Sequence, residues 1–311
     1  MPKVNEQKNG ENRPTVSIIM NCKNGERFLE SAIRSVYEQT FDDWELIFWD
    51  NVSTDDSATI AQSFDSRVKY HLSDTNECLG DARRQALKRA CGKYVTFLDT
   101  DDLYPRDRLS IQVASMEAHG AVFSYGGVEI IDSVGKPLRQ LIPRNQSGDL
   151  LACLLKKYEV NMQTVMISRD LVTADEYQID AGLGYSPDYN LFMKIAKDHP
   201  LQVEKKILAK YRVYPQSLSR QKLRDVAVEM KITLDHISKS ASVTPACAKA
   251  LKYAYCKLHY YDAIFLVSDR RYKDALAELT KIKFRSLQFF VSYFLVLCRL
   301  PPNLLLRIWR R

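Results

Sequence analysis

The feature that most constrains the fold is an alternation of short apolar runs with helix-length amphipathic segments over the first 125 residues. The runs are strand-sized and rich in β-branched or aromatic residues: VSIIM (16–20), ELIFW (45–49), VKYHL (68–72), YVTFL (94–98) and AVFSY (121–125). One helical face between the first two runs is apolar and consists of Phe28, Leu29, Ala32, Ile33 and Val36. This alternation predicts an α/β fold with a mainly parallel sheet flanked by helices.

The pattern divides the chain into four regions. Residues 1–13 are polar and predict a disordered leader, and residues 14–125 carry the alternation. From 126 to 222 it gives way to mixed segments with turn signals, which we interpret as a second half built onto the same sheet. From 223 to 311 apolar residues recur at helical spacing, so we expect a helical C-terminal extension.

The cysteines and histidines restrict the chemistry. Seven cysteines are scattered without a CxxC pair, which favours a reducing compartment and argues against a disulfide framework. The five histidines are also scattered and leave no zinc-binding spacing. Any metal must therefore be held by carboxylates.

Charge is concentrated at the C-terminal end. The formal net charge is +7, and seven basic residues with no acidic residue lie between Lys281 and Arg311. The apolar stretch 286–298 is too short to span a bilayer, and residues 1–13 lack the apolar core of a secretory signal. We expect a cytoplasmic protein whose basic, amphipathic C-terminal end lies peripherally on the cytoplasmic face of an anionic membrane, with no nucleic-acid partner. The alternative is that 286–298 packs internally.

Polar clusters follow three of the predicted strands, at 21–25, 50–55 and 99–102. Ligands of open parallel sheets bind at the carboxyl ends of strands, so these clusters predict one site. Asp99 and Asp101 lie two apart on a turn, where two carboxylates can converge on one Mg²⁺ or Mn²⁺ ion that also binds phosphate groups. The alternative for such an Asp-rich turn is helix capping. Walker and Rossmann phosphate-binding motifs are missing from the sequence.

Several segments in order resemble family 2 glycosyltransferases, which are inverting, nucleotide-sugar-dependent enzymes of the GT-A fold. The resemblance is close over residues 14–125 and looser to about residue 220, and it is carried by VSIIMNCKNGERFLESAIRSVYEQTFDDWELIFWDNVSTDDSA, LGDARRQALKRACGKYVTFLDTDDLYPRDRL, NMQTVMISRDLV, SPDYNLFMKIA and YRVYPQSLS. It implies that 14–125 is a nucleotide-sugar-binding half and 126–222 an acceptor-binding, catalytic half.

The resemblance also implies roles for individual residues. The donor nucleotide would be bordered by Asn21, Asp50, Asn51 and either Arg83 or Arg84, with Asp99 facing the ribose or the donor sugar. Asp101, together with Asp99, would bind the divalent cation, Mg²⁺ or Mn²⁺. Asp188, just before an amphipathic helix, would be the general base that takes the proton of the acceptor hydroxyl.

Four positions depart from the family pattern. Lys23 stands where relatives often have Tyr, and Asn51 where an Asp can pair with uracil, so the donor base stays open. Pro187 stands where relatives often have Glu before the catalytic Asp, and Tyr214 stands where many have a His that can approach the metal.

We predict an inverting, metal-dependent transferase of polysaccharide biosynthesis that moves a sugar from a nucleotide-diphosphate donor to a hydroxyl of a surface glycan or lipid-linked saccharide. The alternative is a catalytically silent, membrane-associated scaffold or nucleotide-sugar-binding subunit of the same fold.

Overall fold

A computed structural model describes residues 13–214, 223–240, 244–282 and 287–298. Contacts divide the chain into two units whose segments alternate along the sequence. The sheet unit comprises residues up to 143, 160–178 and 202–213, and the helical unit comprises 144–159, 179–201 and the chain from 214 on. The functional halves predicted at 14–125 and 126–222 stay predictions.

The sheet unit contains one eight-stranded sheet. Its strands are β1 (Val16–Cys22), β2 (Trp44–Asp50), β3 (Val68–Leu72), β4 (Tyr94–Phe97), β5 (Phe123–Ile131), β6 (Pro137–Leu141), β7 (Met166–Ser168) and β8 (Gln202–Arg212). The strand order is β3-β2-β1-β4-β7-β5-β6, and β8 pairs with β5. All five predicted runs are strands, and β5 continues beyond residue 125 because its apolar pattern extends through Ile131.

Strand directions change at β4. Strands β3, β2, β1 and β4 are mutually parallel, whereas β7 pairs antiparallel with both β4 and β5. Strand β8 again runs parallel to β5. The prediction of an α/β fold with a central sheet flanked by helices is confirmed, and the β4–β7 junction is the place where the parallel half ends.

The described helices are α1 (Glu26–Tyr37), α2 (Ser57–Gln62), α3 (Leu79–Leu87), α4 (Arg108–His119), α5 (Leu151–Lys156), α6 (Arg169–Thr173), α7 (Pro187–Asp198), α8 (Leu223–Ser238), α9 (Pro245–Ser268), α10 (Tyr272–Thr280) and α11 (Leu287–Leu297). The apolar face of α1 packs on the sheet, with only Phe28 of the predicted set left partly exposed. Trp44 and Trp49 are buried, as expected for core residues of a strand rather than for sugar-stacking residues.

Two helices begin later than the sequence predicts. The hydroxyls of Ser53 and Thr54 suit an N-cap and predict that α2 begins there, but Ser53 Oγ accepts a hydrogen bond from the Asn24 backbone and the helix begins at Ser57. Proline suits the first turn of a helix, so Pro105 predicts the start of α4, which begins at Arg108 instead. In both cases the residue that the sequence places at the helix start, Ser53 or Pro105, belongs to the loop before the helix.

The helical extension from residue 223 is confirmed for the described residues, which form α8 to α11. Helices α9, α10 and α11 share an apolar cluster that includes Tyr260, Leu279 and Val296. Helix α11 therefore packs internally through one face, while Phe290 and Phe294 remain 57% and 61% exposed on it.

Within the described part of the chain, no helix is both long and apolar enough to cross a membrane. The leader (residues 1–12) and most of the basic C-terminal segment, including Arg299 to Arg311, lie outside the described residues. The interfacial position predicted for that segment stays a prediction.

Candidate active site

The loops that follow β1 and β2 form one hydrogen-bonded framework at the carboxyl edge of the parallel strands. The Asn24 N–H donates to Ser53 Oγ at 3.0 Å, and Asn24 Oδ1 accepts the Thr54 N–H at 2.8 Å. The Gly25 N–H donates to Ser57 Oγ at 2.9 Å. Two of the three predicted polar clusters are thus joined, because the parallel register of β1 and β2 brings their ends side by side.

The third cluster is an acidic turn after β4. Asp99, Asp101 and Asp102 each present a carboxylate oxygen, and these oxygens lie within 4.8 Å of one another. The Asp102 N–H donates to the Asp99 carbonyl at 3.2 Å, which closes the turn. Three carboxylates at this spacing are a donor set that suits Mg²⁺ or Mn²⁺, since both cations prefer oxygen ligands.

Asp99 is held at the acidic turn by groups from two other elements. Gln163 Oε1 accepts the Asp99 N–H at 2.9 Å, and Gln163 Nε2 donates to Asp99 Oδ2 at 2.6 Å. On the other side, Arg83 Nη2 lies 3.7 Å from Asp99 Oδ1. Gln163 and Arg83 are only 1% and 3% exposed, so Asp99 is oriented by residues that are themselves buried.

Asp102 joins the acidic turn to strand β8. Its Oδ1 accepts the Arg212 N–H at 2.7 Å, and Arg212 Nε donates to the Asp101 carbonyl at 2.8 Å. The other oxygen, Asp102 Oδ2, is buried and has no hydrogen-bond partner among the described residues. Complete burial and the charges of Asp101 and Asp99 raise the pKa of the Asp102 carboxyl well above its usual range.

Two residues predicted to border the nucleoside, Asp50 and Asn51, are engaged in local hydrogen bonds. Asp50 accepts the Ser53 N–H at 2.8 Å and the Tyr70 hydroxyl at 2.7 Å, and burial together with Asp50 raises the pKa of Tyr70. Asn51 donates to the Glu77 carbonyl at 2.8 Å and accepts the Glu77 N–H at 2.9 Å. These side chains fix the edge of the β2 loop.

The remaining predicted nucleotide-binding residues separate into distinct environments. Asn21 Nδ2 is buried and lacks a hydrogen-bond partner among the described residues, so it is a donor available to a ligand. Of the two candidate arginines, Arg83 faces Asp99, whereas Arg84 donates to Asp81 at 2.6 Å on its own helix. Lys23 donates to Asn76 Oδ1.

Asp188 belongs to the helical unit and lies in the first turn of α7. Pro187 occupies the first position of that helix, where the missing N–H costs nothing and the fixed φ angle suits helix initiation. Helix initiation therefore explains a proline at a position where relatives often carry Glu. The role of Asp188 as general base stays a prediction.

Sequence reasoning missed Gln163 and Arg212. Gln163 lies in NMQTV, and the one local signal is a polar residue in an otherwise buried segment, just after Asn161, which accepts the Gln163 N–H at 3.0 Å. Arg212 ends β8 and lies in YRVYPQSLS, one of the segments that carry the resemblance, but the sequence assigned it no role. Both contact the acidic turn from more than 60 residues away, so spacing could not have found them.

Comparison with known proteins gives consistent results. The family profile described as Glycosyl transferase family 2 matches residues 17–173. A curated relative from Escherichia coli, "UDP-Glc:alpha-D-GlcNAc-diphosphoundecaprenol beta-1,3-glucosyltransferase WfgD", is 31% identical over 229 residues, which are 71% of this chain and 86% of the relative.

Two solved structures share the fold. S. aureus TarS 1–349 in complex with UDP-GlcNAc is 16% identical with a TM-score of 0.69, covering 94% of this chain and 90% of that one. The mannosyltransferase PcManGT from Pyrobaculum calidifontis, in complex with GDP-Man and Mn²⁺, is 16% identical with a TM-score of 0.56, covering 97% of this chain and 89% of that one. At these identities the likeness concerns the fold.

Proposed function

The chain belongs to glycosyl transferase family 2, and on this premise we propose that it transfers a sugar from a nucleotide-diphosphate donor to a hydroxyl of a surface glycan or lipid-linked saccharide, with inversion at the anomeric carbon. The observation that carries the proposal is the acidic turn. Its three carboxylates lie within 4.8 Å of one another, and one of them is oriented by Gln163 and Arg83.

Asp101, with Asp99 and Asp102 beside it, would hold a divalent cation. The unpartnered buried oxygen of Asp102 and the close approach of three carboxylates fit such an ion, and a solved structure of the same fold was determined with Mn²⁺. When bound, the cation would neutralise charge on the leaving diphosphate. Arg83, whose Nη2 lies 3.7 Å from Asp99 Oδ1, would help to hold the Asp99 carboxylate in place.

Asp188 is proposed to take the proton. Its carboxylate would accept the proton of the acceptor hydroxyl while that oxygen attacks the anomeric carbon, and the bond from that carbon to the diphosphate breaks with the electron pair leaving on the phosphate oxygen. Asp188 lies in the first turn of α7, and the resemblance to family 2 glycosyltransferases gives the carboxylate at this position the role of general base.

The donor and acceptor follow from the named relatives. The E. coli relative is named for UDP-glucose and a lipid-diphosphate GlcNAc acceptor, and TarS was solved with UDP-GlcNAc, so we take a UDP-sugar and a lipid-linked saccharide as the first candidates. The unpartnered Asn21 Nδ2 is a candidate donor to the base or ribose. A role in polysaccharide biosynthesis would follow.

A lipid-linked acceptor fits the proposed peripheral position on the cytoplasmic face of an anionic membrane. Phe290, Val291 and Phe294 are exposed on α11, and the sequence from 281 to 311 carries seven basic residues and no acidic ones. Exposed apolar side chains within a basic segment of the sequence form a composition that favours binding to the interface of an anionic bilayer.

The test is calorimetric titration with UDP, GDP, CDP and dTDP, with and without Mn²⁺. We expect one nucleotide to bind with Mn²⁺ and binding to be lost in Asp101→Ala, while Asp107→Ala, which removes an exposed carboxylate on the adjacent segment, binds as wild type. Absence of binding under every metal condition would refute the proposed site and favour the catalytically silent scaffold.

A second assay addresses Asp188. Transfer from UDP-glucose, UDP-GlcNAc or GDP-mannose to a synthetic GlcNAc-diphosphate lipid is measured for the wild type, Asp188→Asn and Asp198→Asn. Asp198 lies at the opposite end of α7 and serves as the matched control. We expect Asp188→Asn to bind nucleotide normally and to lose transfer by at least a hundredfold, in the range of general-base removal.

A further inference from the structure

The loop that leads into Asp188 is bound by a single carboxylate from the C-terminal helices. The backbone N–H groups of Gly184, Tyr185 and Ser186 donate to Glu229 at 2.6, 2.9 and 2.6 Å. The Ser186 hydroxyl donates to the same carboxylate at 3.1 Å. Glu229 lies on α8, 43 to 45 residues farther along the chain, and is 8% exposed.

These four hydrogen bonds replace an ordinary helix cap. Ser186 is the N-cap residue of α7, yet its side chain makes no capping bond to its own helix, because its hydroxyl is directed to Glu229. A carboxylate at this end of a helix is also favoured by the helix dipole. Hydrogen bonds to a charged acceptor are stronger than neutral ones, so this contact fixes the loop more firmly than a serine cap would.

A second contact between the same two helices lies one turn farther on. Asn190 Nδ2 donates to Thr233 Oγ1 at 3.1 Å and to Asp180 Oδ2 at 2.9 Å. Asn190 and Thr233 are fully buried. Helix α8 therefore contacts α7 itself through Thr233 and the loop immediately before Asp188 through Glu229.

We propose that Glu229 is a positioning residue, which holds the Gly184–Ser186 loop and through it sets the place of Asp188. This inference rests on the proposed function, in which Asp188 is the general base. Asp188 follows Ser186 by two residues, so a displaced loop moves the start of α7 and its carboxylate with it. A misplacement of about 1 Å at a reacting group costs on the order of a hundredfold in rate.

The experiment compares Glu229→Gln, Glu229→Asp and Thr233→Val with the wild type. Glu229→Gln keeps the size of the side chain but removes the charge and turns an amide NH₂ toward N–H donors. Glu229→Asp keeps the charge on a shorter chain and serves as the conservative variant. Thr233→Val weakens the other contact between α7 and α8 and leaves the loop untouched, so it controls for general loosening of the helical unit.

Two readouts are taken on each variant: hydrogen exchange of the backbone amides of residues 184–186 and 188, and kcat and donor KM for transfer from UDP-glucose to a GlcNAc-diphosphate lipid. In Glu229→Gln we expect exchange at 184–186 to be at least tenfold faster and kcat to fall at least tenfold, with donor KM unchanged. Glu229→Asp should recover part of kcat, and Thr233→Val should keep kcat within about twofold of the wild type even if its melting temperature falls.

Two results would overturn the inference. Unchanged exchange at 184–186 in Glu229→Gln would mean that the carboxylate does not anchor the loop, whatever the activity. Faster exchange with unchanged kcat would mean that the anchor is structural only. Failure of the proposed function is distinct: the wild type would then turn over no donor, and Asp188→Asn would match Asp198→Asn in every assay.

Discussion

Gly25, in the loop after β1, is packed against Thr100 in the middle of the acidic turn: a β-carbon on Gly25 would lie 2.8 Å from the Thr100 hydroxyl oxygen and 3.0 Å from its Cβ. That approach is closer than real Cβ contacts allow, so the two loops fit together only because residue 25 has no side chain.

Gly25→Ala is therefore expected to displace Thr100 together with its neighbours Asp99 and Asp101. We predict about a tenfold loss of Mn²⁺-dependent nucleotide affinity, measured by calorimetry. Gly120→Ala is the control: Gly120 caps α4 at φ 56°, and a β-carbon added there would meet nothing within 4 Å, so alanine should lower stability by about 1 kcal/mol through backbone strain and leave binding unchanged. Wild-type affinity in Gly25→Ala would contradict the prediction.

Gln163→Leu is expected to release Asp99. Leucine can neither accept the Asp99 N–H nor donate to its carboxylate, and we predict a loss of about 2 kcal/mol in the free energy of unfolding together with weaker nucleotide binding. Gln163→Glu should bind nucleotide more weakly still, because a second carboxylate then faces Asp99. Gln140→Leu, which removes an exposed amide paired with Glu129, should change neither. If Gln163→Glu binds the nucleotide as tightly as the wild type, Gln163 does not orient Asp99 for binding.

Asp180→Asn should weaken the helical unit in a pH-dependent way. Burial acts to raise the pKa of Asp180, but hydrogen bonds from Lys194 and Asn190 outweigh it and leave the pKa below its ordinary value. A carboxyl with a lowered pKa stabilises the folded state above its unfolded pKa, near 3.9, and this contribution is lost as the pH falls through the folded pKa.

The difference in unfolding free energy between wild type and Asp180→Asn should thus be about 2 kcal/mol at pH 7, because the buried Lys194 loses its ion pair with the Asp180 carboxylate. It should shrink below pH 4. Urea denaturation at both pH values measures it, with Asp170→Asn, an exposed carboxylate, as control. A difference that is the same at pH 7 and pH 3 would rule out the ionised pair as its source.

Val52→Asn should stabilise the chain. Val52 has φ 60° in the loop after β2, a left-handed conformation that is strained for a β-branched residue and tolerated by Asn. We predict a gain of about 1 kcal/mol in unfolding free energy by urea denaturation. Arg270→Asn, at φ 60° in the turn after α9, should give a similar or smaller gain. A loss of stability in Val52→Asn would show that its side-chain contacts outweigh the strain.

Phe290→Ser combined with Phe294→Ser tests the proposed membrane surface. Both side chains are more than half exposed, so folding should be little affected. The wild type should sediment with phosphatidylglycerol-rich vesicles and not with phosphatidylcholine vesicles, and the double variant should lose most of that binding. If the double variant binds the vesicles as strongly as the wild type, α11 does not contact the membrane. Val228→Ser, an exposed apolar residue on α8, is the matched control.

Much of the sheet could be predicted from local pattern. VKYHL coincides with β3, and the other runs lie on β1, β2, β4 and β5 with shifts of a few residues, because each buried strand is a continuous apolar segment. The acidic turn was found for a related reason: in a parallel sheet the residue after an apolar run stands at the ligand-binding edge.

The partners of the acidic turn could not be predicted in that way. Gln163 reaches Asp99 across 64 residues, and Arg212 reaches Asp102 across 110. Neither separation leaves a periodic signal. The resemblance implies that Asp50 and Asn51 border the nucleotide, and this stays a prediction; in the structure both side chains hydrogen-bond to backbone groups of neighbouring loops. A polar residue at a strand end can serve either purpose.

The alternation of the two units along the sequence has a consequence for how the protein folds while it is being synthesised. A chain made from its N-terminus can pair the first parallel strands early, but β8, whose Arg212 N–H donates to Asp102, emerges only after the segment 179–201 of the other unit. Closing that long connection is slow compared with the local pairing of β1 and β2. A nascent or truncated chain that ends before residue 212 therefore carries all three aspartates of the turn without the strand that contacts them, so the metal and nucleotide binding proposed for the turn would arise only after β8 has been made.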